Sequence, residues 1–425
     1  MMLTHGTVIT YRFSLRALAL VLLFILFLTP ISFLVRGDNV SANYSFILFP
    51  LILLIFSQQL IKPTNEIILL CILFLMIFLV TLLYQNEYYA FWERRLISFV
   101  LFISVFTFFV VRIDANMFHC FKIALVTVSV IYCLNSFYTY FSAGGAALGY
   151  DLMRPIVQSQ RYGFILLIAV WLVFLYKAVG PTQLVLKYLL IFILMNGLGL
   201  TFSRSSVAGL LCSSGAYFFI VFYRWLKNPF SLLQANIKSL LIAFFLSSLV
   251  TVLSYLCFPD YFEFFSLRLL KINITPAMLQ GYLPYPSLPA YDTYVYDELD
   301  SSEGYRLYMI RQIFTYISNH PFFGAGFLGV WVMFSDLNGA AHNQLLDVLF
   351  RTGIVGFIAY VYLLGRILFY LYRANEIALL CGIIGVLAIG MFHETFKLSQ
   401  GSFLFAFLVA LSMQPLSSER NKGHN

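Results

Sequence analysis

The sequence predicts an all-α polytopic membrane protein, with about twelve transmembrane helices and one large extramembrane loop containing short helices. Three observations carry that prediction. Apolar residues make up 61% of the chain and charged residues only 10%, with a mean hydropathy of +0.89. No soluble core of 425 residues needs that much apolar surface. Apolar runs near the roughly 20 residues required to cross a bilayer recur along nearly the whole length. The third is the lack of short alternating strands of about ten residues, the mark of a transmembrane barrel.

The first run follows Arg12 and Arg16 and continues to Val35 without a small-residue cleavage site. It therefore reads as an uncleaved first span over 15–35 rather than a removed signal. Further runs place spans at 44–61, 67–84, 96–111, 117–141, 163–179, 187–203, 206–223, 239–258, 343–371, 376–393 and 399–414. Only a tight Ser-Arg-Ser break separates 187–203 from 206–223.

The net charge of +8 is spread singly over the ends of these runs. No basic block of the kind that tracks a nucleic-acid backbone occurs. With the N-terminus inside, Arg12, Arg16, Lys62, Arg112, Lys122, Lys177, Lys187, Arg224, Lys227, Lys238, Arg366 and Arg373 collect on the cytoplasmic side. The positive-inside rule then puts both termini in the cytoplasm. It divides the chain into spans one to nine over 1–258, an external loop over 259–341, and spans ten to twelve with a cytoplasmic tail over 342–425. The cysteines at 71, 120, 133, 212, 257 and 381 lie in or at the ends of apolar runs without C-x-x-C spacing. They read as small hydrophobic residues rather than zinc ligands or a disulfide framework.

The external loop is acidic although the whole chain is basic: Asp260, Glu263, Asp292, Asp297, Glu298, Asp300, Glu303 and Asp336 face Arg268, Lys271, Arg306 and Arg311. Its centre, Tyr282 to Tyr291, is rich in Pro and Tyr and will not form a regular helix. The clustered tyrosines suit carbohydrate stacking or interfacial anchoring. A helix follows from Gly304 to Asn319, ended by His320-Pro321. At 100° per residue, Leu307, Ile310, Ile313, Phe314 and Ile317 make one apolar stripe. Arg306 falls within it and Arg311 at its edge. A guanidinium on an inward face needs an anionic partner, either Glu303 one turn earlier or a ligand.

Four further places in the chain bear on chemistry. Arg204 lies between two spans with Ser203 and Ser205 beside it, where the first N–H groups of a helix lack intrahelical partners. Together they form a cradle for phosphate oxygens, against the plainer reading of an interfacial arginine. Arg154 and Arg161 flank the polar loop before the sixth span, on the same side, and Arg161 adds to a cationic mouth. His342 begins a helix after the long loop and titrates near neutral pH, as a general base must. Asp347 is too far around that helix to orient it and pairs instead with Arg351 at i+4. His393 and Glu394 close the eleventh span on the same side; an ionisable pair there is a functional candidate, although it also marks the exit of a span. Gly324-Ala325-Gly326 lacks the strand, helix and lysine context of a nucleotide loop.

In order and spacing these features resemble the O-antigen polymerase/O-antigen ligase superfamily of bacterial inner membranes. The resemblance rests on Ser203-Arg204 at a span boundary, Gly304-Tyr305-Arg306 in a large loop, and His320-Pro321-Phe322-Phe323-Gly324-Ala325-Gly326. It is completed by Ala341-His342-Asn343-Gln344-Leu345-Leu346-Asp347, followed by Arg351-Thr352-Gly353-Ile354-Val355-Gly356. It covers about 190–370; a Pro-Asn motif seen before the sixth span of many relatives is not evident here. The resemblance implies a membrane-embedded glycosyltransferase that needs neither metal nor cofactor and faces the periplasm. The donor would be an undecaprenyl-pyrophosphate-linked oligosaccharide. The acceptor would be a lipid-linked repeat (polymerase, the favoured reading) or lipid A-core (ligase). Arg204 and Arg306 would hold the pyrophosphate, and His342 would take the acceptor proton. Arg161, Arg311, Ser203 and Asn343 would bind substrate. Membrane lipids, and a chain-length regulator, are the further partners. A flippase for the same lipid-linked glycan is the alternative from another class. It is disfavoured because no internal repeat is visible and the ionisable residues gather at one face.

Overall fold

The structure is a computed structural model, and it describes residues 15–29, 64–83, 112–142, 159–201, 203–227, 252, 256, 302–325, 343–393, 395–396 and 399–414. Among these residues it is built of helices, with no strand. They are α1 (Leu15–Leu28), α2 (Asn65–Leu83), α3 (Ala115–Ser142), α4 (Ser159–Phe174), α5 (Pro181–Gly199), α6 (Arg204–Lys227), α7 (Ser302–Asn319), α8 (Gln344–Arg373), α9 (Ile377–Gly390) and α10 (Ser399–Ser412). Nine of the expected spans meet one of these helices. The spans expected at 44–61 and 96–111, and all but two residues of 239–258, lie outside the described residues. Four described helices are long and apolar enough to cross a membrane: α3, α5, most of α6 (Arg204–Leu226) and α8.

Local chemistry sets the helix starts. Thr64 Oγ1 accepts from the Ile67 amide at 3.4 Å and Asp114 Oδ1 from the Met117 amide at 2.7 Å, so both act as N-caps. Pro181 occupies the first turn of α5, where its missing N–H costs nothing. This start corrects the expected 187–203 boundary. Lys187 lies inside α5, not before it, and its ammonium reaches back to the Tyr176 carbonyl at 2.8 Å. A long apolar stem lets a lysine sit within a span while its charge finds a polar group near the end.

The helices pack as an up-and-down array. α1 and α3 run side by side in one direction, with Cys120 Sγ on the Ala17 carbonyl near one end and the Tyr132 hydroxyl on the Leu28 carbonyl at 2.7 Å near the other. α10 closes on both through Phe24, Phe121, Phe403 and Phe407, with the Phe121 and Phe407 rings stacked at 4.0 Å. α9 lies between α4 and α6, and α8 contacts α2, α7, α9 and α10. One close approach needs glycine. A side chain at Gly197 would overlap Cys133 of α3, whose Cα lies 3.3 Å from the Cβ position. Gly197→Val is therefore expected to lower the amount of folded protein in membranes sharply, because the neighbour's backbone cannot turn aside. Solubilised yield and thermal denaturation read that loss directly, and normal accumulation with an unchanged melting temperature would contradict the close packing.

One end of the array is an ionic belt. Lys122 binds Glu376 at 3.1 Å, Arg224 donates to Asn375 Oδ1 at 2.6 Å, and Arg366 lies 3.6 Å from Glu66, which also takes the Tyr362 hydroxyl. Arg366 reaches on to the Ser412 carbonyl at 3.2 Å. Lys122, Arg224, Arg366 and Arg373, all assigned to one membrane side from the sequence, gather here around the α8–α9 turn. Such half-exposed pairs add little stability singly. Their grouping puts the four at one end of the array and leaves the opposite end for the candidate site.

Candidate active site

The break between α5 and α6 builds the first part of the opposite end. α5 stops at Gly199, and Thr201 Oγ1 caps it by donating to the Leu198 carbonyl at 2.7 Å. The same hydroxyl lies 3.3 Å from Ser206 Oγ, tying the end of α5 to the start of α6. The Ser203 carbonyl accepts from the Ser206 and Val207 amides at 3.1 and 3.4 Å, so Ser203 is the entry residue of α6 and Arg204 its first helical residue. Ser203 Oγ lies 2.6 Å from Ser205 Oγ. Arg204 is half-buried, at a helix start whose dipole favours an anion.

The start of α4 stands against this turn. The Cβ position of Gly163 falls 2.5 Å from Ser206 Oγ, so a larger residue there would have to turn that hydroxyl aside. Arg161 is two residues earlier in α4, and the backbone therefore brings it to the Ser203-Arg204 corner. Its side chain, like those of Arg306 and Arg311, lies outside the described set. Arg154, His342 and Glu394 also lie outside the described residues.

The next link is α9. Its last turn meets the second turn of α6, where the Cβ position of Gly209 lies 2.7 Å from Ile389 and 2.9 Å from the Gly385 carbonyl. Just beyond, Asn343 Nδ2 donates to the Met391 carbonyl at 3.1 Å. Asn343 Oδ1 meanwhile accepts from the Leu345 and Leu346 amides at 3.0 and 3.1 Å, as an N-cap of α8. Gln344, which is buried, accepts from the Phe396 amide at 2.9 Å, and Ser402 donates to the Phe396 carbonyl at 2.8 Å. The start of α8, immediately after His342, is thus held from two sides by the α9–α10 connection. His393 is buried in that connection.

α8 is not one continuous span. Gly353 has φ 61° and ψ −167°, a conformation outside the helical region, and divides α8 into an outer piece (344–352) and an inner piece (354–373). The inner piece alone, at about 1.5 Å per residue, is near the 30 Å of a bilayer core. The expected span of 343–371 is therefore interrupted: its first ten residues, 343–352, precede the break at Gly353. That segment carries the Asp347–Arg351 pair expected from the sequence, Nε to Oδ2 at 2.7 Å, with side chains 2% and 7% exposed.

The turn after α7 fills the break. The Ile354 and Val355 amides donate to the Pro321 and Phe322 carbonyls at 2.8 and 3.3 Å, and the Ala325 amide donates to the Phe350 carbonyl at 2.8 Å. Groups that two helix ends leave without intrahelical partners are thereby satisfied. Tyr316 of α7 packs on Phe350, ring centroids 4.8 Å apart. The buried face of α7 is Met309, Gln312, Ile313 and Ile317, while Phe314 is 52% exposed. The expected stripe is therefore rotated: the helix turns Tyr316 and Met309 inward to meet α8, and Phe314 leaves the face. Position 306 still shares the face of Met309, Ile313 and Ile317 by helical register.

Sequence reasoning passed over Gln344 and Gly353. A glycine in the middle of an apolar run was the available signal for the second, and the motif spelled Gly324 and Gly353 together. Gln344 had none beyond being a polar residue at the mouth of a span.

The architecture defines a class: a polytopic helical membrane protein that gathers an arginine-bearing helix start, a second arginine-bearing helix start and an Asn-capped segment at one end of the array. Residues 189–361 match the family model described as O-antigen ligase. The match supports the O-antigen polymerase/O-antigen ligase superfamily, whose members are glycosyltransferase-like enzymes acting on lipid-linked glycans at membranes. The chain has no match among curated proteins.

Proposed function

We propose that this protein is a surface-polysaccharide polymerase of bacterial inner membranes, joining undecaprenyl-pyrophosphate-linked repeat units in the periplasm. The observation that supports it best is the convergence of Gly163 on Ser206, Gly209 on Ile389 and Asn343 on Met391. These contacts bring the backbones at Arg161, Ser203, Arg204 and Asn343 to the end opposite the ionic belt. In this reading that end faces the periplasm and the belt faces the cytoplasm, with both termini.

In the proposed step an acceptor sugar hydroxyl attacks the anomeric carbon of the donor. The new C–O bond forms as the bond to the diphosphate breaks, and the lipid diphosphate leaves with the electron pair. Arg204 and Arg306 stabilise its charge, Arg161, Arg311 and Ser203 add donors around it, and His342 takes the acceptor proton. A diphosphate leaving group asks for fixed cations and orientation, and guanidinium groups supply paired donors matched to phosphate oxygens. Asn343 serves the site by fixing the backbone beside His342.

A glycan ladder from cells lacking the gene tests the reading. Core carrying a single repeat without a ladder is the expected result for a polymerase. Core without any repeat, with polymer stranded on its carrier, assigns the ligase reaction instead. An unchanged glycan returns transport to the front. Two further outcomes are expected of the purified protein. Arg204→Lys lowers turnover about tenfold or more, because an ammonium loses the bidentate contact; wild-type turnover would make Arg204 an interfacial anchor. Turnover persists in EDTA, and a loss restored by Mg²⁺ would contradict chemistry carried by the arginines alone.

A further inference from the structure

The interlock between the 320–325 turn and the α8 break does more than close a loop. Three backbone hydrogen bonds cross it, from Ile354, Val355 and Ala325. Each of the two glycines at its centre is closed in by the other segment's backbone. A Cβ on Gly324, at φ 59°, would strike the Phe350 carbonyl oxygen and lie 2.7 Å from the Gly353 amide. A Cβ on Gly353 would strike the Phe322 carbonyl and lie 2.6 Å from the Phe323 amide. The backbone of Gly353 is itself in a region that only glycine occupies readily. Neither contact can be relieved by turning a side chain.

The interlock joins two elements that the sequence separates. One is α7, which carries positions 306 and 311 and packs Tyr316 on Phe350 of the outer piece of α8. The other is the outer piece of α8, which begins two residues after His342 and is held by Asn343, Gln344 and the Asp347–Arg351 pair. Without the break, an unbroken α8 would have no N–H groups to offer the turn, and α7 would lose these backbone bonds to it.

We infer that Gly324 and Gly353 are positioning residues for glycosyl transfer: they lock the Arg306-bearing helix and the His342-bearing segment into one rigid unit. Leaving-group stabilisation and proton acceptance are thereby held at a fixed separation. The inference rests on the functional reading above, since it needs Arg306 and His342 to serve one reaction. Displacement of about 1 Å between such groups costs on the order of a hundredfold in rate.

The test uses the full chain in nanodiscs and two readouts, amide hydrogen exchange of peptides over 321–326 and 351–356, and steady-state turnover with a lipid-linked donor. Gly353→Ala is expected to speed exchange in both peptides and to lower kcat about tenfold or more, with little change in donor KM. Gly365→Ala, where nothing lies within 4 Å of the Cβ position, is the control and leaves both readouts unchanged. Ile354→Pro covers the case in which Gly353→Ala fails to accumulate. Proline is well tolerated at the first position of the inner helix, yet it removes the donor to the Pro321 carbonyl. Faster exchange in 321–326 with a lower kcat is the expected result for that variant too. Faster exchange with wild-type kcat overturns the inference and leaves the functional reading standing. Wild-type exchange in these variants overturns the interlock itself. A wild-type protein that transfers no sugar overturns the functional reading, and the inference with it.

Discussion

His342→Ala is expected to abolish chain growth while the protein inserts and folds normally. A positioned general base contributes roughly 10²–10⁴-fold to a reaction of this kind, and alanine removes it outright. The described bonds at the start of α8 are made by the two residues that follow it. Asn343 caps α8 with its own side chain, holds Met391, and Gln344 holds the Phe396 amide. Turnover of reconstituted protein with a lipid-linked donor should therefore fall without loss of membrane yield. Asn343→Ala separates the two roles. It removes an N-cap, typically about 1 kcal/mol, and frees the backbone next to His342, so stability and turnover should decline together. If His342→Ala keeps wild-type turnover, the base lies elsewhere, and buried His393 in the α9–α10 connection becomes the next residue to replace.

Much of this arrangement was legible in the sequence because membrane solvation is a blunt and dependable force. Nine apolar runs match helices, and single positive charges at their ends foretold the grouping of Lys122, Arg224, Arg366 and Arg373 around one turn. The i+4 spacing of Asp347 and Arg351 foretold their ion pair. Three things did not read out. The break at Gly353 hides inside a run that is apolar throughout, since hydropathy reports solvent and not dihedral angles. The exact face of α7 depends on where Tyr316 meets Phe350, a contact between segments that periodicity treats separately. The approach of the start of α4 to the start of α6 depends on Gly163 packing against Ser206, and pairing of helices across about 40 residues of sequence has no local signature.

The same limits explain why the motif His320 to Gly326 could be recognised but not interpreted. Read linearly, two glycines after an aromatic pair resemble a flexible loop. In space Gly324 faces Gly353 and the turn supplies carbonyls to the inner piece of α8. The chemistry of the described residues is that of backbone groups satisfying one another where a helix is interrupted. A membrane protein has strong reason to build such a joint. Each backbone group left without a partner away from water costs on the order of several kcal/mol, so an interruption must bring its own donors and acceptors.

The other large effect is expected at Asp347 and Arg351. Arg351→Met should destabilise the protein by about 3–5 kcal/mol, the usual consequence of removing one member of a buried ion pair and leaving the other charge uncompensated. The pair is almost sealed from solvent, and Arg351 lies two residues before the break, where α8 has no continuous helix to support it. Replacing both, as Asp347→Leu with Arg351→Met, removes the stranded charge and restores much of the loss, because paired buried charges often add little over apolar residues of similar size. The coupling between the two sites is measured by a double-mutant cycle in denaturation of the solubilised protein. Turnover decides what the pair is for. Recovery of stability and activity together in the double variant makes it a staple for the outer piece of α8. Recovery of stability alone would move Asp347 and Arg351 into the reaction, as charges that meet the substrate.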